Sequence, residues 1–240
     1  DPESFINRIH RGEKNYRRWY KPNFRELNEP ELWTRFLLPE YPEDFVRKNA
    51  VTFNQLWRDS NHKYILPDVV ETMRALSTRG YKLGLISNTT SSTEGYQLLE
   101  ETGLSPLFSC VLLSAEFGRR KPHPSIFVEA ARRAGVNPEE CAYVGDRPSR
   151  DLIGARQANY ARIVIINTEG YLTDEFDVDD YDPEKDTHLV IRPDHWIRKL
   201  SELLDYFPPL PAGDCVSHSS PSVLYDIALS TMWHVDQNCP

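Results

Sequence analysis

From residue 67 onward the apolar positions follow two periods that alternate along the chain. Val69, Val70, Met73 and Leu76 recur at helical spacing. Pro67 suits the first turn of that helix and Gly80 the position just past its end. Leu83-Gly84-Leu85-Ile86 is a short apolar run ending in Ser87-Asn88, and Val111-Leu112-Leu113 also reads as strand. Pro124 to Ala134 predicts a helix with Ile126, Phe127, Ala130 and Ala131 on one side, closed by Gly135. Ala142-Tyr143-Val144 reads as a strand running into Gly145-Asp146, Leu152 to Ala158 as helix, and Ile163-Val164-Ile165-Ile166 as a wholly apolar strand. Leu189-Val190-Ile191 predicts a further strand, followed by a helix from about Asp194 to Leu204. Strands this apolar, interleaved with helices, imply a parallel sheet covered on both faces. The fold class is therefore α/β, with a Rossmann-like doubly wound core over residues 66–206.

The flanks read differently. Residues 1–65 are aromatic and charged, with few β-branched runs; segments such as Phe5–Ile9 and Phe45–Val51 predict short amphipathic helices in a small all-helical unit. Its aromatics Trp19, Tyr20, Trp33, Phe36 and Trp57 are expected in its core, and Arg17, Arg18 and Lys21 on a solvated face. Asp174 to Asp186 is acidic and reads as a loop, because its spacing does not fit a calcium-binding EF-hand. Residues 207–222 hold Pro208-Pro209, Pro211 and Gly213 and read as a linker. Beyond them, within 223–240, comes an apolar strand running into an aspartate, Val223-Leu224-Tyr225-Asp226-Ile227-Ala228-Leu229.

Composition narrows the function classes. A net charge of -8 argues against nucleic acid as a partner. No window approaches the ~18 apolar residues of a membrane helix, and the polar start is not a signal peptide. The 4 cysteines (Cys110, Cys141, Cys215, Cys239) form no C-x-x-C pair and are expected reduced, which points to the cytoplasm.

In a doubly wound sheet ligands bind at the carboxyl ends of the strands. There the chain carries Ser87-Asn88, Gly145-Asp146 and Asp226, with Lys121 just before a helix and Asp151 shortly after Asp146. Three carboxylates, a lysine and a hydroxyl on one rim would suit a divalent cation and a phosphoryl group together. A hard cation takes oxygen ligands, an ammonium offsets phosphate charge, and a hydroxyl donates to a phosphoryl oxygen.

These same residues resemble the motifs of the haloacid dehalogenase superfamily. Leu85-Ile86-Ser87-Asn88 is similar to its second motif, and Lys121-Pro122-x-Pro124-x-Ile126-Phe127 to its third. Tyr143-Val144-Gly145-Asp146-Arg147-Pro148-Ser149-Arg150-Asp151-x-x-Gly154-Ala155 is similar to its fourth, in the G-D-x(4)-D form. The resemblance runs from about Pro67 to Leu204 and implies that residues 1–65 are the helical cap. The family's first motif, D-x-D, normally precedes the cap. Here the segment ending in Asp226 resembles it, at the other end, so the order resembles a circular permutation; an ordinary tail over residues 223–240, or a reordered chain, stays open as the alternative. A strand needs its neighbours and not a particular place in sequence, so such an order is physically reasonable.

The resemblance implies a Mg²⁺-dependent phosphohydrolase acting on a small phosphorylated substrate, with no membrane or nucleic-acid partner; homodimerisation stays open. Asp226 would be the nucleophile, forming an aspartyl-phosphate. Asp226, Asp146 and the carbonyl of Ala228 would hold Mg²⁺, with Asp151 supporting the metal or orienting Lys121. Ser87, Asn88 and Lys121 would bind the phosphoryl group. One departure matters: the family's phosphatases carry a proton-transferring aspartate where this chain has Ala228, and Leu229 replaces a small residue. Three alternatives therefore stay open. One is a phosphonatase using a cap lysine (Lys14, Lys21, Lys48 or Lys63), one is a dehalogenase, and one is a catalytically weak binding protein.

Overall fold

The computed structural model describes residues 2–59, 67–166, 192–211 and 222–225. The N-terminal unit holds α1 (Pro2–Tyr20), α2 (Glu29–Leu32), a π-helical turn (Trp33–Leu37) and α3 (Glu43–Asp59). The two amphipathic segments of the sequence thus belong to helices of 19 and 17 residues. Ile9, Tyr16, Trp33, Leu37, Val46 and Ala50 bury into one cluster, and Trp19, Tyr20, Phe36 and Trp57 pack against it. The aromatics of this unit therefore belong to its core.

The second unit begins with α4 (Val69–Thr78), which leads into β1 (Lys82–Ser87), α5 (Glu94–Glu101) and β2 (Phe108–Leu113). α6 (Ser114–Phe117) and α7 (Pro124–Ala134) follow, then β3 (Cys141–Gly145), α8 (Ile153–Gln157), β4 (Arg162–Ile166), β5 (His195–Ile197), α9 (Leu203–Tyr206) and β6 (Ser222–Tyr225). α7 ends as the sequence required: Gly135 takes φ +67°, a left-handed conformation that lets the chain turn off the helix. Among the described residues the pairings of this sheet are all parallel, and the order is β2-β1-β6-β3-β4-β5.

Strand alternation produces two cores. Leu83, Leu85, Val144, Val164 and Ile166 face one way, onto α4, α5 and α9. Ile86, Leu112, Tyr143, Ile163 and Ile165 face the other, onto α7 and α8. Among the described residues no helix is long and apolar enough to cross a membrane.

Two sequence expectations change. The helix expected from about Asp194 to Leu204 is instead β5, a 3-10 turn (Leu200–Glu202) and α9. Asp194 starts this change: its N–H donates to the Ile163 carbonyl at 2.7 Å and its carboxylate accepts from the Ile163 N–H at 2.7 Å. That pairs the chain edgewise with β4. The helix expected over 152–158 is α8, Ile153–Gln157, and a π-helical turn, Pro148–Leu152, leads into it. Phe207, at the start of the Pro-rich stretch read as a linker, is buried, and the Leu210 N–H donates to the Arg79 carbonyl at 2.9 Å. The strand expected at 189–191, the acidic run 174–186 and the later part of the linker lie outside the described residues.

The position of β6 has the largest consequence for function. It lies between β1 and β3, with Tyr225 in register with Leu85 on one side and Val144 on the other. Counted from β6, the order across the sheet becomes 3-2-1-4-5-6, the doubly wound arrangement whose strand order reverses at strand 1. The crevice for ligands in such a sheet opens at that reversal, at the carboxyl ends of β1, β6 and β3.

Candidate active site

Ser87 ends β1 and is 1% exposed, while Gly145 ends β3 with Asp146 just beyond. Lys121 comes from the loop between α6 and α7, and its side chain is fully buried. Burying an ammonium is costly unless it is paired and hydrogen-bonded. Here Lys121 Nζ lies 2.8 Å from Asp151 Oδ1 and donates to the Tyr143 hydroxyl at 2.9 Å. The Tyr143 hydroxyl in turn donates to Asp151 Oδ1 at 3.2 Å.

Asp151 is placed by the π-helical turn, whose extra residue per turn swings its side chain back under β3. Its Oδ2 accepts from the N–H of Asp146 at 3.1 Å and of Arg147 at 2.9 Å. Burial raises its pKa, but Lys121, Arg150 and these hydrogen bonds outweigh that and hold it below the usual carboxylate range. A carboxylate offers about four lone-pair sites, and all are met by donors here. Of the two roles expected of Asp151, supporting a metal or orienting Lys121, its contact with Lys121 Nζ fits the second.

Asn88, expected as a phosphoryl contact, bonds to the main chain of Lys121. Its Oδ1 accepts from the Lys121 N–H at 2.8 Å and its Nδ2 donates to the Lys121 carbonyl at 3.0 Å. The amide thus clamps the main chain of Lys121, next to the cis Lys121-Pro122 peptide. Asp146 is 6% exposed, and its carboxylate oxygens lie 3.8 Å from Arg150 Nη2 and 3.9 Å from Arg147 Nε. Asp226 and Ala228 lie outside the described residues, as does Lys63. Of the other lysines weighed for a Schiff base, Lys14 and Lys48 lie near or at the surface and Lys21 is half-buried.

Gly145 is needed where it stands. A Cβ there would sit 2.5 Å from the Cβ of Asp151. Gly145→Ala is expected to cost about 1–3 kcal/mol through overpacking and to push Asp151 off Lys121. Urea unfolding of the variant beside wild type measures the loss.

Two features were not legible in the motifs. Tyr143 reads as a strand residue of the apolar core, and nothing in its spacing announces a hydroxyl aimed at Lys121. The N-terminal unit also reaches the crevice through two buried glutamates. Glu29 accepts from the Ser92 N–H at 2.6 Å and its hydroxyl at 3.1 Å, in the loop beyond Asn88. Glu26 accepts from the Ser114 hydroxyl at 2.9 Å. No local pattern in the sequence marks either glutamate as buried.

The model of the haloacid dehalogenase-like hydrolase family matches residues 3–159. The chain belongs to this family. A second, HAD-hydrolase-like model matches residues 118–203. Neither match reaches β6. Within the family, the chain is 35% identical over 151 residues to a glyceraldehyde 3-phosphate phosphatase of Methanopyrus kandleri, covering 62% of this chain and 60% of that one. It is 31% identical over 152 residues to a phosphoglycolate phosphatase of Nitrosococcus oceani, covering 62% and 66%. The match thus spans less than two thirds of either relative's length. Among solved structures, a 2-haloacid dehalogenase from Pseudomonas syringae aligns at a TM-score of 0.54 with 27% identity, over 74% of this chain and 68% of that one. A putative HAD-hydrolase from Bacillus subtilis, bound to magnesium, shares the fold at a TM-score of 0.55 and 21% identity, over 84% and 81%.

Proposed function

We propose that this chain is a Mg²⁺-dependent phosphohydrolase of small phosphate esters, with Asp226 as its nucleophile and residues 1–65 as its cap. One observation carries the reading. β6, whose next residue in sequence is Asp226, pairs on one side with the strand ending in Ser87 and on the other with the strand leading into Asp146. The phosphatases among the relatives support the substrate class, and the magnesium-bound neighbour of the same fold is consistent with the cation.

The donor set fits a hard cation. Asp146 offers a buried carboxylate at the rim, and Asp226 with the Ala228 carbonyl would complete an all-oxygen set. Such a cation, when bound, acts as a Lewis acid for the phosphoryl oxygens. Among the described residues no three His, Cys, Asp or Glu side chains gather as a metal group, so residues after Tyr225 are essential to this reading. The Asp226 carboxylate attacks phosphorus as the ester oxygen leaves, and water then attacks the aspartyl-phosphate, releasing inorganic phosphate and regenerating the carboxylate. Lys121 sets an ammonium beside the phosphoryl oxygens, and Ser87 donates its hydroxyl. Asp151, Tyr143 and Asn88 fix Lys121 so that its charge needs no reorganisation as negative charge builds up.

Ala228 cannot protonate the leaving group, a contribution of ~10²–10⁴-fold in enzymes that have it. Good leaving groups are therefore favoured. The test is hydrolysis of p-nitrophenyl phosphate, acetyl phosphate, phosphoglycolate and glyceraldehyde 3-phosphate, each with Mg²⁺ or EDTA. Turnover with Mg²⁺ that EDTA stops is the expected result. Release of halide from 2-haloacids in EDTA, with no phosphate release, would replace this reading with dehalogenation.

A further inference from the structure

Arg120 stands beside Lys121 in sequence, yet its side chain points into the cap. The guanidinium lies 3.7 Å from the centroid of the Tyr20 ring, and its Nη1 is 3.4 Å from Glu26 Oε2. Arg120 is 13% exposed and the Glu26 side chain 1%. Glu26 is a hub. Its Oε1 accepts from the Tyr16 hydroxyl and, at 3.4 Å, from the Leu27 N–H. Its Oε2 accepts from the Ser114 hydroxyl at 2.9 Å. With two donors on each oxygen, it is fully committed to holding groups together.

The main chain repeats the same tie. The Arg120 N–H donates to the Phe24 carbonyl at 2.9 Å, and the Glu26 N–H to the Gly118 carbonyl at 3.1 Å. Arg25 and Arg119 form an antiparallel bridge between these hydrogen bonds. Residues 23–27 of the cap and 118–120 of the core therefore run as a short two-stranded ribbon. The next residue after it is Lys121, whose main chain is gripped from the opposite side by Asn88.

We infer that Arg120 and Glu26 are positioning residues, a buried latch through which the cap sets the place of Lys121 in the anion site. The inference rests on the reading of Lys121 as a phosphoryl ligand. Lys121 is held at its tip by Asp151 and Tyr143 and at its base by Asn88 and the ribbon. Freeing the ribbon removes one of the base's two supports and leaves the tip's partners in place. The latch thus acts on where the ammonium sits, not on whether it is charged.

Removing one partner of a buried ion pair strands the other charge and endangers folding, whereas removing both charges is far better tolerated. The decisive protein is therefore the full chain carrying Glu26→Gln and Arg120→Met together. The amide oxygen introduced by the first substitution can still accept from Tyr16 or Ser114. The methionine stem introduced by the second still packs on Tyr20. Two quantities are read beside wild type. Amide hydrogen exchange over residues 23–27 and 118–121 reports the ribbon without reference to catalysis. Calorimetric titration with inorganic phosphate in Mg²⁺ reports the anion site of the folded protein.

The expected result is faster exchange in both segments together with phosphate affinity lower by about tenfold or more, as misplaced binding groups produce. A merely structural latch would speed exchange and leave phosphate affinity unchanged, which overturns the inference. Unchanged exchange overturns the latch itself. Failure of wild type to bind phosphate overturns the functional reading first, and the inference with it.

Discussion

Leu224→Pro is expected to abolish the cooperative unfolding transition of this chain. Leu224 lies in β6, opposite Gly84 of β1 and Tyr143 of β3. Proline has no N–H to give to the ladder, and within sheets it is confined to edges, strand starts and bulges. β6 is far from that exemption, because it has a parallel partner on both sides. Its loss would leave β1 and β3 with facing unpaired edges between two cores, where an unpaired buried backbone group costs about 1–3 kcal/mol each. Circular dichroism through a urea titration measures the outcome. A variant that keeps a sharp transition at the wild-type midpoint would show that the sheet does not depend on the C-terminal strand.

The second large effect is on the buried ammonium. Lys121→Met is expected to destabilise the fold by about 3–5 kcal/mol at pH 7, because Asp151 stays buried with its counter-charge gone. The pH dependence gives the sign. In wild type the Asp151 carboxyl is held below its ordinary value, which in an unfolded chain is about 3.9. Its contribution to stability is fully present above that value and is lost as pH falls through the lower folded value. In Lys121→Met the balance reverses: burial without the lysine favours the neutral acid, so the penalty shrinks as pH falls from neutral toward the carboxyl range. Unfolding free energies at about pH 7 and about pH 5 separate the two cases. A penalty that does not shrink at the lower pH would mean that Asp151 finds another cation.

Much of this was legible because strands buried on both faces read as apolar runs. β1, β3 and β4 could be read from Leu83–Ile86, Ala142–Val144 and Ile163–Ile166, and β1 and β3 run into polar residues that must meet solvent or ligand. Ser87 and Asp146 follow from the same logic, whereas the family was read from the resemblance of the segments holding Ser87, Lys121, Asp146 and Asp151 to its motifs. The segment from Asp194 misled because its periodicity is too short to separate helix from strand; edge pairing through the Asp194 side chain decided it. The contact of Asp151 with Lys121 was one of the two roles read for it, whereas the Asn88 clamp on the Lys121 main chain was not, since an amide can face either a ligand or a peptide group. The Glu26–Arg120 tie joins residues far apart in sequence, and no local pattern encodes such a partner. A core role for β6 was implied only by the resemblance, as the strand that the other motifs lacked.

The central claim is that the strand after residue 221 brings the nucleophile to a crevice built by the rest of the chain. Its most direct test compares Mg²⁺-dependent hydrolysis of acetyl phosphate by wild type and by Asp226→Asn, with unfolding midpoints measured on both. Turnover in wild type that disappears in a variant of unchanged midpoint is the expected result. Turnover that survives the substitution would contradict the claim and assign the attack on phosphorus to another residue.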